Sequence, residues 1–209
     1  MLKSRLLAAA AATLTLGAPA MAMPDFSFVD ATAPDDGRVV IYVGPEGALS
    51  PLGAEMDAAT GGRLSTAIRD MEMKGEFGET LSLAGLAPYA QIVVIGKGDE
   101  ALEARQLHDL GGHAAMAADD EKGLSILADG FDGVENAAAQ IAFGYALGDY
   151  SFTTYKTDPD MEEDGEVTLI GSQPNAASLF ENDLKHLASS IELVRDLGSE
   201  PGNALWPQA

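Results

Sequence analysis

Two runs of β-branched and apolar residues constrain the fold more than anything else in the chain. Gln91 to Ile95 (QIVVI) runs straight into Gly96-Lys97-Gly98, and Arg38 to Val43 (RVVIYV) ends at Gly44. Neither run alternates with polar residues, so each reads as a strand buried on both faces and ended by glycine. Helical patterns lie between the strand-like runs. That alternation predicts an α/β domain with a largely parallel or mixed sheet and helices on both faces.

The remaining elements fall around those two strands. Phe26, Phe28 and Val29 can add an edge strand, followed by a turn cluster at Pro34, Asp35, Asp36 and Gly37. Leu52 to Ala59 reads as a short helix stopped by Gly61-Gly62, and Leu64, Ala67, Ile68 and Met71 restart a helical face. Lys74 to Glu79 is a polar turn, Thr80 to Leu83 a strand, and Gly85 to Pro88 a turn. A helix carrying Leu102, Ala104, Arg105, Leu107, His108 and Leu110 is expected to break at Gly111-Gly112. Leu124 to Leu127 reads as a strand, Val134 to Leu147 as an Ala-rich helix, and Tyr150 to Lys156 as extended chain. Asp158 to Glu166 is an acidic loop and Val167 to Ile170 a strand. The last element is a long helix with Asn175 as its cap. Its apolar stripe is Phe180, Leu184, Leu187, Ile191 and Val194, and Gly198 is its expected stop.

Charge and composition remove several classes of function. The chain has 209 residues, no cysteine, 12 Lys plus Arg and 33 Asp plus Glu, for a formal charge of −21. Without cysteine there is no disulfide framework, thiol nucleophile or thiolate metal site. Such an excess of carboxylates repels nucleic acid and anionic membrane surfaces. The amino terminus reads as a secretory signal peptide over residues 1–22. Lys3 and Arg5 precede an apolar run from Leu6 to Leu16, Gly17 and Pro19 break it, and Ala20-Met21-Ala22 has the small-x-small form of a cleavage site. Export to the periplasm or the medium is therefore expected, with no membrane association after cleavage.

Candidate chemistry is sparse. The turn Gly96, Lys97, Gly98 and Asp99 could hold an anionic ligand if its amides opened a helix. It lacks the full glycine-rich phosphate signatures, and Asp99 and Glu100 stand where the anion would lie. A tight strand-to-helix turn is the plainer reading. His108 and His113 lie five apart near Asp109, Asp119 and Asp120, a spacing that does not suit zinc on one helix face. They read as surface histidines, as does His186. Asp160, Glu162, Asp164 and Gly165 imitate the start of a calcium loop, but Gly171 stands where the bidentate Glu is needed. The residues define no catalytic constellation and no metal site.

Several segments, in order, resemble one family. Met56 to Leu64 (MDAATGGRL) is similar to the LD-x-x-x-GG-x-L segment of the leucyl aminopeptidases, also called cytosol aminopeptidases. Phe77 to Thr80, Ile92 to Gly98 (IVVIGKG) and Gly144 to Lys156 (GYALGDYSFTTYK) resemble further segments of that family's N-terminal domain. Arg195 to Pro207 (RDLGSEPGNALWP) resembles its RDL-x-NEP-x-N-x-L-x-P segment, departing at Ser199, where the family usually has Asn.

The resemblance implies a macro-domain-like mixed sheet over residues 23–174. Residues 175–209 would be a long helix and linker leading toward a catalytic domain. In the family that domain holds two divalent metals, zinc or manganese, on Asp and Glu ligands. Its run Asn-Thr-Asp-Ala-Glu-Gly-Arg does not occur in this sequence. The expectation is thus a non-catalytic domain with no cofactor of its own, with a full-length aminopeptidase or a second copy as partner. The rival is a stand-alone macro-like module that binds a small ligand such as ADP-ribose.

Overall fold

The structure is a computed structural model, described over residues 23–99, 101–118, 123–131, 133–152, 165–171 and 173–201. The proposed signal peptide, Asp119, Asp120, the calcium-like run at 160–164 and the tail from residue 202 lie outside the described residues.

Six strands form one sheet in the order β1-β6-β5-β2-β4-β3. They are β1 (Asp25–Val29), β2 (Gly37–Val43), β3 (Thr80–Ala84), β4 (Tyr89–Gly96), β5 (Leu124–Leu127) and β6 (Glu166–Ile170). All neighbours pair in parallel except β3, which runs antiparallel to β4 at one edge. The two apolar runs that dominate the sequence are adjacent central strands, with Val40 opposite Val93 and Ile41 opposite Val94. Their side chains alternate between two cores, because successive residues of a strand point to opposite faces. Val40, Tyr42, Val93 and Ile95 face one core, and Val39, Ile41, Val43, Ile92 and Val94 the other. The edge strand expected from Phe26, Phe28 and Val29 is β1, paired with β6.

Helices α1 (Pro51–Ala59) and α2 (Arg63–Asp70) cover the second core through Leu52, Met56, Leu64 and Ile68. Helices α3 (Ala104–Ala117), α4 (Ala137–Asp149) and α5 (Ala176–Leu179) cover the first. The mixed α/β architecture with helices on both faces is the one the sequence predicts.

Three local expectations fail for identifiable reasons. Gly111-Gly112 does not interrupt α3, which is continuous to Ala117. The glycines lie where α3 crosses α4, and a Cβ on Gly111 would come within 2.1 Å of the Ile141 carbonyl oxygen. Gly111 serves close approach of two backbones, a use invisible in a single helix pattern. Asn175 stands before α5 but its side chain makes no capping bond. Gly198 is no stop either, since the last helix, α6 (Lys185–Ser199), passes through it.

The terminal helix also contains a wide π-type turn over Phe180–Leu184 between α5 and α6. A turn of this kind holds an extra residue and rotates everything after it. Ala188 is buried accordingly and Leu187 is exposed. The predicted stripe holds at Phe180, Leu184 and Ile191 and fails at Leu187 and Val194.

Candidate functional site

In an open α/β sheet, ligands gather beyond the carboxyl ends of the strands, where successive connections diverge. Here that edge is built from the ends of β2, β4 and β5. The chain leaves β2 at Gly44 through a short 3-10 turn at Pro45–Gly47 and enters α1 after Ser50. It leaves β5 into Asp129, Gly130 and Phe131, and β4 into Lys97, Gly98 and Asp99.

The three groups that could receive an anion are already engaged. The Gly96 amide donates to the Glu79 carbonyl at 2.8 Å, that of Lys97 to Val43 at 2.9 Å, and that of Gly98 to Gly75 at 3.0 Å. Helix α3 does not begin at this turn but at Ala104, where the Gln106 side chain accepts from the Glu103 amide at 2.9 Å. The amides of Gly96 to Gly98 are therefore not the free first-turn donors that a phosphate cradle uses.

The first turn of α1 is likewise filled, by the protein's own carboxylate. Asp129 accepts from the Ser50 hydroxyl and from the Leu52 amide, both at 2.9 Å. Ser50 in turn accepts from the Gly53 amide at 3.1 Å. A carboxylate at a helix start satisfies open amides and complements the helix dipole. Lys97 spans the crevice: its ammonium donates to the Gly130 carbonyl and lies 5.3 Å over the Phe131 ring. Phe131 meets Tyr42 edge-on at 5.2 Å. Tyr42 donates to the Leu110 carbonyl at 3.3 Å, and burial pushes its phenol well above the usual range. Asp99 is exposed beyond the turn.

The histidines are not free surface groups, with the exception of the exposed His186. His108 is half-buried, with Nε2 2.6 Å from Gln140 Oε1 and its ring against Phe143. His113 is half-buried beside Phe77 and Gly78. Five residues apart on α3, they project about 140° from each other. Among the described residues no three His, Asp or Glu side chains are grouped to hold a metal ion.

A second feature lies on the last helix. Leu187, Leu193, Val194 and Leu197 of α6 are exposed at 50%, 59%, 67% and 49%. Their spacing places them along one outward side of the helix. Sequence reasoning missed this surface because it assigned Leu187 and Val194 to the buried stripe. It also missed Asp129 and Phe131, whose only sequence signal is their position just after a short strand.

Comparison with known proteins accords with this geometry. The sheet and its helices define a macrodomain-type α/β fold. A macrodomain from Oceanobacillus iheyensis superposes with a TM-score of 0.54 at 14% identity, covering 81% of this chain and 96% of its own. A tomato leucine aminopeptidase superposes with a TM-score of 0.75 at 21% identity, covering 90% of this chain and 41% of that one. The model of the cytosol aminopeptidase family N-terminal domain matches residues 39–159. A cytosol aminopeptidase of a Chelativorans species is 32% identical over 195 residues, covering 88% of this chain and 39% of the relative. The chain belongs to the cytosol aminopeptidase family through its N-terminal domain, and it spans about two fifths of that relative's length.

Proposed function

We propose that this chain is an exported, non-catalytic domain of the cytosol aminopeptidase family that docks onto an aminopeptidase catalytic portion. The observation that carries the docking is the exposed apolar side of α6 at Leu187, Leu193, Val194 and Leu197. Large aliphatic residues scattered singly on a surface are ordinary, but Leu193, Val194 and Leu197 are neighbours at helical spacing, with Leu187 two turns before Val194, and such a grouping suits a contact face. The occupant is the portion that the longer relatives carry beyond the matched region, which the family resemblance implies is the catalytic one. The charge of −21 disfavours a second copy, since two such chains repel.

Mixing the chain with the separately produced catalytic portion of the Chelativorans relative tests the docking by sedimentation. A complex that Val194→Asp with Leu197→Asp abolishes is expected. Absence of a complex at micromolar concentration refutes the docking. The chain alone, supplied with manganese or zinc, leaves leucine p-nitroanilide intact. Chelator-sensitive turnover by the purified chain refutes the non-catalytic role. Export rests on the pattern of residues 1–22. Mass spectrometry of the expressed chain should find Met23 as the new amino terminus outside the cytoplasm. An intact start retained in the cytoplasm refutes it.

A second reading keeps Gly96, Lys97, Gly98 and Asp99 as a ligand-binding turn of a macro-like module. It is favoured by Lys97, whose ammonium, among the described residues, meets a carbonyl and a ring rather than a carboxylate. The engaged amides and the Asp129 carboxylate weigh against it. Calorimetry with millimolar ADP-ribose separates the two readings, since saturable heat would favour the module.

A further inference from the structure

We propose that Arg195 and Asp196 form a clamp that sets the direction in which α6 leaves the domain, so that its apolar side is presented in one fixed orientation. The purpose assigned to the clamp rests on the docking reading above, while the clamp itself stands on geometry.

The need for such a device follows from how α6 is packed. Near its start the helix is anchored apolarly: Phe180 and Ala188 are fully buried, and Leu184 and Ile191 are half-buried against the body. Beyond Ile191 the large apolar side chains Leu193, Val194 and Leu197 point outward. Hydrophobic burial therefore holds one end of the helix and leaves the other end to polar contacts.

Those contacts converge on the end of α4. Arg195 Nη1 donates to the Leu147 carbonyl at 2.6 Å, and its guanidinium lies 5.3 Å over the Tyr150 ring. The Tyr150 hydroxyl donates to Asp196 Oδ1 at 2.7 Å. The last carbonyls of a helix lack partners within the helix, and the negative end of its dipole attracts a cation. Arg195 meets both conditions at once. A planar guanidinium with a fixed fork suits a combined stack and hydrogen bond better than an ammonium does. Because adjacent residues of α6 grip two points on α4 and the turn after it, pivoting about either contact alone is blocked. Arg195 and Asp196 belong to the RDL run of the sequence, which the strand-end crevice does not use. They are positioning residues in this proposal, not catalytic ones.

The absence of cysteine makes the test direct. Spin labels go on Glu55→Cys, an exposed position of α1, and on Gly198→Cys, where an added side chain meets nothing within 4 Å. The full chain is measured by double electron–electron resonance with native Arg195 and Tyr150, then with Arg195→Ala and with Tyr150→Phe. One narrow distance distribution is expected for the first. Both variants should broaden it about twofold, as local release without global unfolding does. Circular dichroism melts should move little, which a merely structural role would not combine with broadening. Tyr150→Phe removes only a hydroxyl, so it decides the matter if Arg195→Ala fails to fold. An unchanged distribution in the folded variants overturns the clamp. Val194→Asp with Leu197→Asp should leave the distribution narrow while abolishing docking. Broadening by the clamp variants without any wild-type docking would sink the docking reading alone. Docking with unchanged distributions would sink the clamp alone.

Discussion

Replacing Gly144 by alanine probes the crossing of α3 and α4 on which the first core depends. A Cβ at Gly144 would lie 2.0 Å from the His108 carbonyl oxygen and 2.6 Å from its carbon. The obstructing atoms are backbone, so no rotamer change can relieve them and the helices must part. Parting them loosens Leu107, Leu110 and Ala114 against Ala138, Ile141 and Ala142, all within 2% exposure. Overpacking of this kind costs about 1–3 kcal/mol or more. Alanine in place of glycine inside a helix returns about 1 kcal/mol. With clashing backbone on both sides of the contact, the upper end of the cost applies and the net loss is about 2 kcal/mol. In a domain of this size that lowers Tm by roughly 4–8 °C. Gly112 supplies the control: a Cβ there meets only the Gly144 oxygen, at 3.8 Å. Gly112→Ala should therefore keep the propensity gain and raise Tm by about 2 °C. Thermal and urea unfolding by circular dichroism reads both variants. If Gly144→Ala proves as stable as the wild type, or the two variants behave alike, the close-approach account of these glycines is wrong.

Phe180→Ala should cost about 3–5 kcal/mol, because a fully buried ring is lost and a cavity opens. Phe180 meets Phe26 and Phe28 at 4.9 and 5.6 Å, so urea unfolding should show the loss and proteolysis should release β1 and α6 first. Burial is the main cause that raises the Glu192 carboxyl above its usual range, with the Asp196 charge next, Arg195 opposing both, and Asp149 adding to the rise. A raised acid binds its proton more tightly in the folded state, so its stabilisation is complete at acid pH and fades as pH climbs through the raised value. The protection of α6 amides, relative to their intrinsic exchange rates at each pH, should accordingly fall between the ordinary carboxylate range and neutral pH, and Glu192→Gln should flatten that fall. Equal slopes in the two proteins would refute it.

What could be read from residue order was whatever depends on one strand or one helix. The continuous runs at Arg38–Val43 and Gln91–Ile95 needed burial on both faces, and they became the two central strands. Phe26 and Phe28 alternate with polar neighbours, and they lie at an edge. The failures sit where two elements meet. Gly111 looks like a helix breaker until α4 is placed against it. The Leu187 and Val194 assignment failed because an extra residue in one turn is not encoded as a break in periodicity. At the strand-end turn, the glycines of Gly96-Lys97-Gly98 were legible, but the carbonyls that occupy their amides come from Val43 at the end of β2 and from Gly75 and Glu79 on the loop before β3. No local pattern records that occupancy.

The occupied crevice and the uncovered helix point the same way. An open α/β sheet offers its strand ends as the natural place for a ligand, an anion included, and this chain puts a carboxylate on the first turn of α1 and a lysine across the gap. Binding there would require breaking backbone bonds that tie β4 to its neighbouring loops, and would bring a second negative charge beside Asp129. The outer side of α6 asks for no such rearrangement. Its aliphatic side chains already stand in water, and covering them gains about 25 cal/mol per Å² without breaking any bond within the domain. Where one surface must be dismantled to bind and another is ready to be covered, the second is the better candidate for what this domain does.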